Sequence, residues 1–235
     1  MVLFGTLVNG LCIILGTLLG LFFTRIPDRF KETIMNGIGV AVLLIGFQMA
    51  FQTSSIVVVL LSILTGAILG ELFHLERKLN NIGSWIENRV KPKQGSTIAQ
   101  GFITATLIFV VGAMSVVGAL DSGLRGDHEV LLTKSILDGF VSLVLTTTLG
   151  IGVVFSVVPV VLFQGTIALL ATNIEQWLPE VFLSGFIVEM TATGGLLIVA
   201  IGLNLLNITK IRIANLLPSL LMVGFVYYIY QLITL

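Results

Sequence analysis

The chain alternates between long apolar runs and short polar segments. Eight apolar runs approach the roughly 20 residues that an α-helix needs to cross the hydrocarbon core of a bilayer. In chain order they are Val2–Phe23, Thr33–Phe51, Ser55–Phe73, Ile98–Leu120, Val130–Val153, Val154–Asn173, Val181–Leu206 and Ile211–Leu232. This pattern predicts an all-α integral membrane protein with about eight transmembrane helices, numbered here as predicted spans 1 to 8.

The boundary between predicted spans 5 and 6 carries the weakest polar signal. No charged residue separates the two runs, and only Gly150, Gly152 and Pro159 favour a break there. The sequence therefore leaves open whether residues 150–160 form a turn between two spans, one bent element or a re-entrant pair.

The longest polar stretch, residues 74–97, combines charged residues with an apolar helical face. This arrangement is typical of a helix that lies in the membrane interface, and an ordinary solvated loop is the alternative. The apolar face consists of Leu75, Leu79, Ile82, Ile86 and Val90.

Basic residues are concentrated in particular turns between the predicted spans. The turns after spans 1, 3 and 7 are basic, whereas those after spans 2 and 6 contain no Lys or Arg. Cytoplasmic loops of membrane proteins are enriched in these residues. If both chain ends lie outside, ten of the twelve basic residues face the cytoplasm. The charge pattern thus supports eight spans and predicts that both termini are outside.

Composition agrees with a lipid environment and excludes several function classes. Of the 235 residues, 56% are hydrophobic and 10% are charged, whereas soluble domains carry roughly 25% charged residues. The net charge of zero gives no electrostatic case for a nucleic acid partner. Cys12 is the only cysteine, and the sequence contains no Cys-based metal cluster, no paired histidines and no nucleophile–base pair. We expect the lipid bilayer as a partner, no cofactor, no metal and no enzymatic activity.

Three short motifs of the first half recur in the second half. Their separations are 155, 152 and 156 residues, and they pair Asn9-Gly10 with Gln164-Gly165, Ile26-Pro27 with Leu178-Pro179, and Ile45–Met49 with Ile201–Leu205. A displacement of five helices is odd, so the two halves would run in opposite directions through the bilayer. The motifs predict an inverted repeat of spans 1–3 and 6–8 around two central helices, an organisation common in secondary transporters.

The repeat divides the single membrane domain, residues 1–235, into four consecutive parts. Residues 1–73 form repeat one, 74–97 a cytoplasmic loop with the interfacial helix, 98–153 the two central helices, and 154–235 repeat two.

Two carboxylates lie deep inside predicted spans, where a charge is costly without a partner or a task. Asp138 has Lys134 one turn earlier on the same helical face, which predicts a local ion pair. Glu189 has no basic residue within one turn, which suits it to carry protons. At similar predicted depths, the two acids would face one cavity. Structural alternatives are a neutralised pair at Asp138 and a glutamate that hydrogen-bonds to hydroxyls for packing.

Thr191, Thr193, Gly194 and Gly195 follow Glu189 directly. Two adjacent glycines lower the cost of unwinding a helix, so we predict a helix break at Gly194 and Gly195. Freed carbonyls and the two threonine hydroxyls would then bind a small cation. The remaining candidate binding residues are the polar side chains of Gln164, Asn36 and Asn204, each of which could instead hydrogen-bond across helices.

Several motifs in order resemble a bacterial multi-pass membrane family known as domain of unknown function 554, with YqgA- and YdfK-like members. The resemblance covers nearly the whole chain and implies a bacterial cytoplasmic (inner) membrane location, but it implies no activity. It is carried by residues 109–118, 121–127, 134–139, 164–165, 189–195, 201–203 and 215–218.

The leading functional hypothesis is a small secondary transporter or ion-coupled carrier of an unknown small solute or ion. The alternatives are an ion channel lined by the same polar residues, and a non-transporting membrane scaffold or sensor partner that works through its interfacial helix. Close-packing glycine spacings such as Gly16-xxx-Gly20 and Gly66-xxx-Gly70 are compatible with a homodimer as well as with packing within the chain.

Overall fold

The computed structural model describes residues 1–22, 28–78, 81 and 98–234, and the regular elements in those ranges are all helical. A seven-residue 3₁₀ segment, Gly150–Ser156, joins the helices Glu129–Leu149 and Val157–Trp177. The helices are α1 (Phe4–Phe22), α2 (Asp28–Ala50), α3 (Ile56–Leu72), α4 (Ile98–Val110), α5 (Ala113–Leu124), α6 (Glu129–Leu149), α7 (Val157–Trp177), α8 (Glu180–Leu205), α9 (Ile213–Leu216) and α10 (Ser219–Thr234). The predicted all-α architecture is confirmed.

Four stretches of the described residues are long and apolar enough to cross a membrane, or five if α4 and α5 form one bent span. Two further helices, Asn36–Ala50 and Ile56–Leu72, are apolar but shorter. The four long stretches are Phe4–Phe22, Glu129–Ile174, Glu180–Leu205 and Ile213–Ile233. By length and composition the chain is a helical membrane protein, and the count of eight spans stays a prediction.

α1 and α6 pack side by side and run in the same direction. Gly5 near the start of α1 lies against Leu131 near the start of α6, and Gly20 near its end lies against Thr146. The glycines on this face of α1 let the two backbones approach closely, as small residues do between membrane helices.

α7 also packs against α1, but it runs in the opposite direction. Gly10 of α1 lies against Val161, whereas Leu3, seven residues earlier, lies against Gly165 farther along α7. Because α6 runs with α1 and α7 runs against it, the chain reverses between them. Gly150 begins this reversal with φ at +69°, a conformation that favours glycine. The question left open for residues 150–160 is answered in favour of a turn between two helices.

The predicted span Ile98–Leu120 is not one continuous helix. It divides into α4 and α5, which meet at an angle of 58°. Gly112 lies between them with φ at +142°, a value that side chains disfavour. The Ser115 hydroxyl donates to the Phe109 carbonyl at 2.8 Å and so satisfies an acceptor near the break. The sequence did not predict this bend, because Gly112 lies within a continuous apolar run whose pattern does not reveal its backbone conformation.

Contacts divide the chain into two units, each made of two separate segments. Unit 1 comprises Met1–Met35 and Pro92–Glu180, and unit 2 comprises Asn36–Lys91 and Val181–Leu235. The four consecutive parts predicted from the repeat are a different division, and they stay a prediction. Of the predicted interfacial helix at 75–90, only residues 75–78 and 81 belong to the described part of the chain.

Unit 2 is held together by close contacts between glycines and backbone. In α2, Gly46 lies against the carbonyl of Gly195 in α8. In α3, Gly66 lies against Ser219 of α10, and Gly70 lies against the backbone of Asn215 in α9. A β-carbon at Gly66 or Gly70 would overlap these backbone atoms, so the two positions set how closely α3 approaches α9 and α10.

Candidate functional site

Three helices of unit 1 bring four polar side chains together, and we call Asn9, Lys134, Asp138 and Gln164 the polar cluster. Asn9 lies on α1, Lys134 and Asp138 on α6, and Gln164 on α7. The approach is close because Gly139, next to Asp138, faces the backbone of Cys12 on α1. The glycine packing therefore places a polar residue of each helix at one point.

An ion pair lies at the centre of the polar cluster. Nζ of Lys134 is 2.9 Å from Oδ1 and 2.8 Å from Oδ2 of Asp138, and both side chains are less than a tenth exposed. This contact confirms the ion pair predicted from their i, i+4 spacing. Burying two charges costs several kcal/mol per ion before their mutual attraction is counted, so a pure packing role would be better filled by apolar residues.

Two amides extend the ion pair across the helices. Nδ2 of Asn9 donates to Oδ2 of Asp138 at 3.1 Å and to Oε1 of Gln164 at 3.3 Å. Both amide side chains are fully buried. Gln164, selected from the sequence as a candidate, is thus joined to Asp138 through Asn9.

The polar cluster retains unused hydrogen-bonding capacity. Oδ1 of Asn9 and Nε2 of Gln164 are buried without a hydrogen-bond partner in the described structure, as are the hydroxyls of Thr6 and Thr17 on α1. Buried polar groups are nearly always partnered, because an unmet donor or acceptor costs about 1–3 kcal/mol. One unpartnered acceptor and one unpartnered donor therefore lie beside the buried ion pair.

Glu189 has a different environment, within unit 2. Its carboxylate is fully buried and accepts four hydrogen bonds from the turn that precedes α3. Thr53 Oγ1 donates to Oε2 at 2.6 Å, while the Ser54 N–H (2.9 Å), the Ser54 hydroxyl (2.9 Å) and the Ser55 N–H (3.0 Å) donate to Oε1. Ser55 is the N-cap of α3 and makes no side-chain cap of its own. The carboxylate of Glu189 therefore caps this helix from a distant part of the chain.

The predicted helix break after Glu189 was wrong. α8 is one helix from Glu180 to Leu205, and both Gly194 and Gly195 are buried within it. Gly195 faces the Ala50 amide and the Gly46 carbonyl, where a β-carbon would come within 2.5 Å and 2.7 Å of backbone atoms. The glycines permit close packing of α2, so the helix has no need to unwind there.

The cation site proposed around Glu189 stays a prediction, and the described structure shows no hydrogen bond between Glu189 and Thr191 or Thr193. The hydroxyls of Thr191 and Thr193 are buried without a hydrogen-bond partner there. The groups that contact Glu189 are N–H and hydroxyl donors, and α8 keeps its carbonyls in the helix. These donors all point to the Glu189 carboxylate, so the arrangement stabilises that carboxylate.

The two remaining candidates have no described hydrogen bond to Glu189, the acid of their own unit. Asn36 is an exposed residue of α2. Asn204, at the end of α8, bonds the turn that follows: its Oδ1 accepts from the Ile211 N–H and the Thr209 hydroxyl, and its Nδ2 donates to the Ile211 carbonyl. Asp138 belongs to unit 1 and Glu189 to unit 2, and the single cavity predicted for them stays a prediction.

The residues that complete each arrangement were not predicted from the sequence. Asn9 belongs to a repeated motif but was not among the predicted binding residues, and neither were Thr53, Ser54 and Ser55. A signal for the latter existed, because Thr, Ser and Ser directly before an apolar run are typical of a helix N-terminus. Nothing local indicated that their acceptor would be a glutamate 134 to 136 residues away.

Apolar helices around a buried ion pair define a multi-helix membrane protein. The family model for "Protein of unknown function (DUF554)" matches residues 4–228, and the chain belongs to this family. It is similar to "Uncharacterized membrane protein YdfK" of Bacillus subtilis (strain 168), with 33% identity over 224 residues and 93% of each chain covered. It is also similar to "Uncharacterized protein YqgA" of Escherichia coli (strain K12), with 30% identity over 224 residues and the same coverage. No solved structure matches the chain.

The family membership confirms the resemblance drawn from the sequence motifs. Together with the apolar helices, the relative named as a membrane protein indicates membrane localisation.

Proposed function

We propose that the chain is a small secondary transporter or ion-coupled carrier whose ionisable centre is the polar cluster. The observation that carries the proposal is a buried Lys134–Asp138 pair joined by amides from two other helices, with one donor and one acceptor unfilled. Ionisable groups within membrane helices commonly mark ion or substrate pathways. A small solute that contacts Asn9 and Gln164 would compete with their mutual hydrogen bond and change the field at Asp138, which couples the solute to the ion pair.

The inverted repeat is part of the proposal, and the polar cluster supports it. Asn9 and Gln164 are counterparts in the repeated motifs, separated by 155 residues, and they hydrogen-bond to each other. A contact between counterparts is expected where a pseudo-two-fold axis passes between them. Transporters with inverted repeats bind their substrates between the repeats.

A second pair of contacts, in unit 2, follows the same relation. Gly46 of α2 lies against Gly195 of α8, and Gly39 lies against the Gly202 carbonyl. An offset of 156 residues relates Gly39 to Gly195 and Gly46 to Gly202. The repeat would therefore relate the contact between Gly46 and Gly195 to the contact between Gly39 and Gly202. Each unit also contains helices from both repeats, as this symmetry requires.

The proposal gives Glu189 a supporting role. Its four donors come from the start of α3, so the side chain fixes that helix. The proposed protein has eight spans in the bacterial cytoplasmic membrane with both termini outside, the arrangement that places most basic residues in the cytoplasm.

Solute-induced currents in liposomes test the proposal. The purified full chain would be reconstituted and challenged with a panel of amino acids, carboxylates, alkali cations and polyols, with and without a pH gradient. We expect a saturable current for at least one solute and its loss in Asp138→Asn.

Asp121→Asn is the matched control, because Asp121 also forms an i, i+4 pair with a basic residue, Arg125, but this pair is not buried, with the Asp121 side chain 26% exposed and that of Arg125 76% exposed. This variant should keep the current. Equal currents in wild type and Asp138→Asn would overturn the assignment of the centre, and currents far above carrier turnover would show a channel.

A further inference from the structure

A charged cleft lies at the end of α3 in unit 2. It encloses about 330 Å³, and Arg212 on its edge directly precedes the candidate membrane span Ile213–Ile233. The cleft therefore opens where an apolar helix ends, the level at which lipid headgroups meet protein. Its lining residues are Glu71, His74, Glu76, Arg77, Asn81, Arg212 and Asn215.

Several groups of the charged cleft are already partnered. Arg212 forms a two-pronged pair with Glu71, with Nη2 2.6 Å from Oε1 and Nη1 3.2 Å from Oε2. Oε2 of Glu76 accepts from the Ala214 N–H at 3.1 Å, and Oδ1 of Asn215 accepts from the Glu76 N–H at 2.7 Å. These contacts hold the cleft open in a defined shape.

The unused capacity of the charged cleft consists mainly of donors. Neither the Arg77 guanidinium nor the His74 ring has a side-chain partner in the described part of the chain, and both residues are exposed. Arg212 keeps further N–H groups, since a guanidinium has about five and the pair with Glu71 engages two. Arginine donors in this arrangement match the oxygens of a phosphate group.

The two glutamates restrict which phosphate fits. A dianionic phosphate would be repelled by Glu71 and Glu76, whereas a phosphodiester carries one charge. An ammonium group on the same ligand would be attracted by these carboxylates. We propose that the charged cleft binds a phosphodiester that carries a primary amine, the chemistry of a phosphatidylethanolamine headgroup. The same chemistry occurs in soluble glycerophosphoethanolamine.

Native mass spectrometry of the purified full chain tests this site. The protein would be titrated with phosphatidylethanolamine, with phosphatidylglycerol and with glycerophosphoethanolamine. Arg77→Gln removes a donor and breaks no described contact, and Lys78→Gln removes the same charge one residue later, where Lys78 lies over the Phe73 ring. We expect Arg77→Gln to weaken phosphatidylethanolamine binding roughly tenfold, the effect of losing one charge-assisted hydrogen bond, and Lys78→Gln to leave it unchanged.

The three ligands distinguish a lipid headgroup from a soluble ligand, and a phosphodiester with a primary amine from one without it. Binding of phosphatidylethanolamine alone, sensitive to Arg77, supports a lipid site, and equally sensitive binding of glycerophosphoethanolamine supports the same chemistry from a soluble source. Equal binding of phosphatidylglycerol, or equal effects of the two substitutions, would overturn the proposal.

Discussion

Replacing Glu189 by glutamine tests whether this carboxylate holds α3 in place. Oε1 accepts three hydrogen bonds and Oε2 accepts one, from Thr53 to Ser55. Glutamine preserves size and one acceptor but removes the charge. Hydrogen bonds to a charged group contribute about 1.5–3 kcal/mol each, against about 0.5–1.5 kcal/mol for neutral ones. The weakening of these bonds together should lower the free energy of unfolding by about 2–4 kcal/mol.

Thermal unfolding in detergent, followed by tryptophan fluorescence, measures this loss. A decrease of 3 kcal/mol corresponds to a fall in Tm of about 6–12 °C for a chain of this size. Glu180→Gln is the control, because Glu180 is an exposed residue in the first turn of the same helix. It should change stability by less than about 0.5 kcal/mol. If Glu189→Gln unfolds at the wild-type temperature, the capping role of Glu189 is refuted.

The remaining predictions concern helix packing, the ion pair and one turn. Gly16→Ala should strongly reduce the yield of folded protein in size-exclusion chromatography, because its β-carbon would overlap the Gly139 carbonyl. Gly37→Ala is the control, because a β-carbon there meets open space and should not change the yield. Equal yields of the two variants would contradict this packing. Lys134→Met should lower the free energy of unfolding by about 3–5 kcal/mol, because it leaves the Asp138 charge buried without its partner. The double variant Lys134→Met with Asp138→Leu should lower it by much less, because both charges are removed. Additive losses in thermal unfolding would contradict the coupling of the pair. Asn204→Ala should cost about 1–3 kcal/mol, since it removes three hydrogen bonds of the following turn; an unchanged Tm would contradict it.

Features that depend on neighbouring residues were predictable from the sequence. The apolar runs located the helices, and the i, i+4 spacing identified the pair of Lys134 and Asp138. Gly150 was one of three residues that favoured a break, although the sequence left open whether the break was a chain reversal. In each case the physical cause, whether hydrophobic length, helical spacing or backbone freedom, acts within a few residues.

Features that depend on distant partners were not predictable in this way. The donors to Glu189 lie more than 130 residues away, so the sequence allowed hydrogen bonds to hydroxyls only as an alternative and did not identify which residues would donate them. Gly195 was taken as a helix breaker, although its role depends on α2 packing against it. A glycine pair has the same local signature in both situations, and only the presence of a neighbouring helix decides between them.

Water access to the polar cluster is the most direct test of a carrier. Cys12 is the only native cysteine, so one substitution gives a cysteine-free chain into which Gln164→Cys can be introduced. Ser156→Cys, at an equally buried position in the 3₁₀ segment, is the control. A membrane-impermeant thiol reagent should label Gln164→Cys when added to either side of sealed vesicles and should spare Ser156→Cys. Absence of labelling from both sides in a folded protein would contradict the proposal that the polar cluster is a transport site.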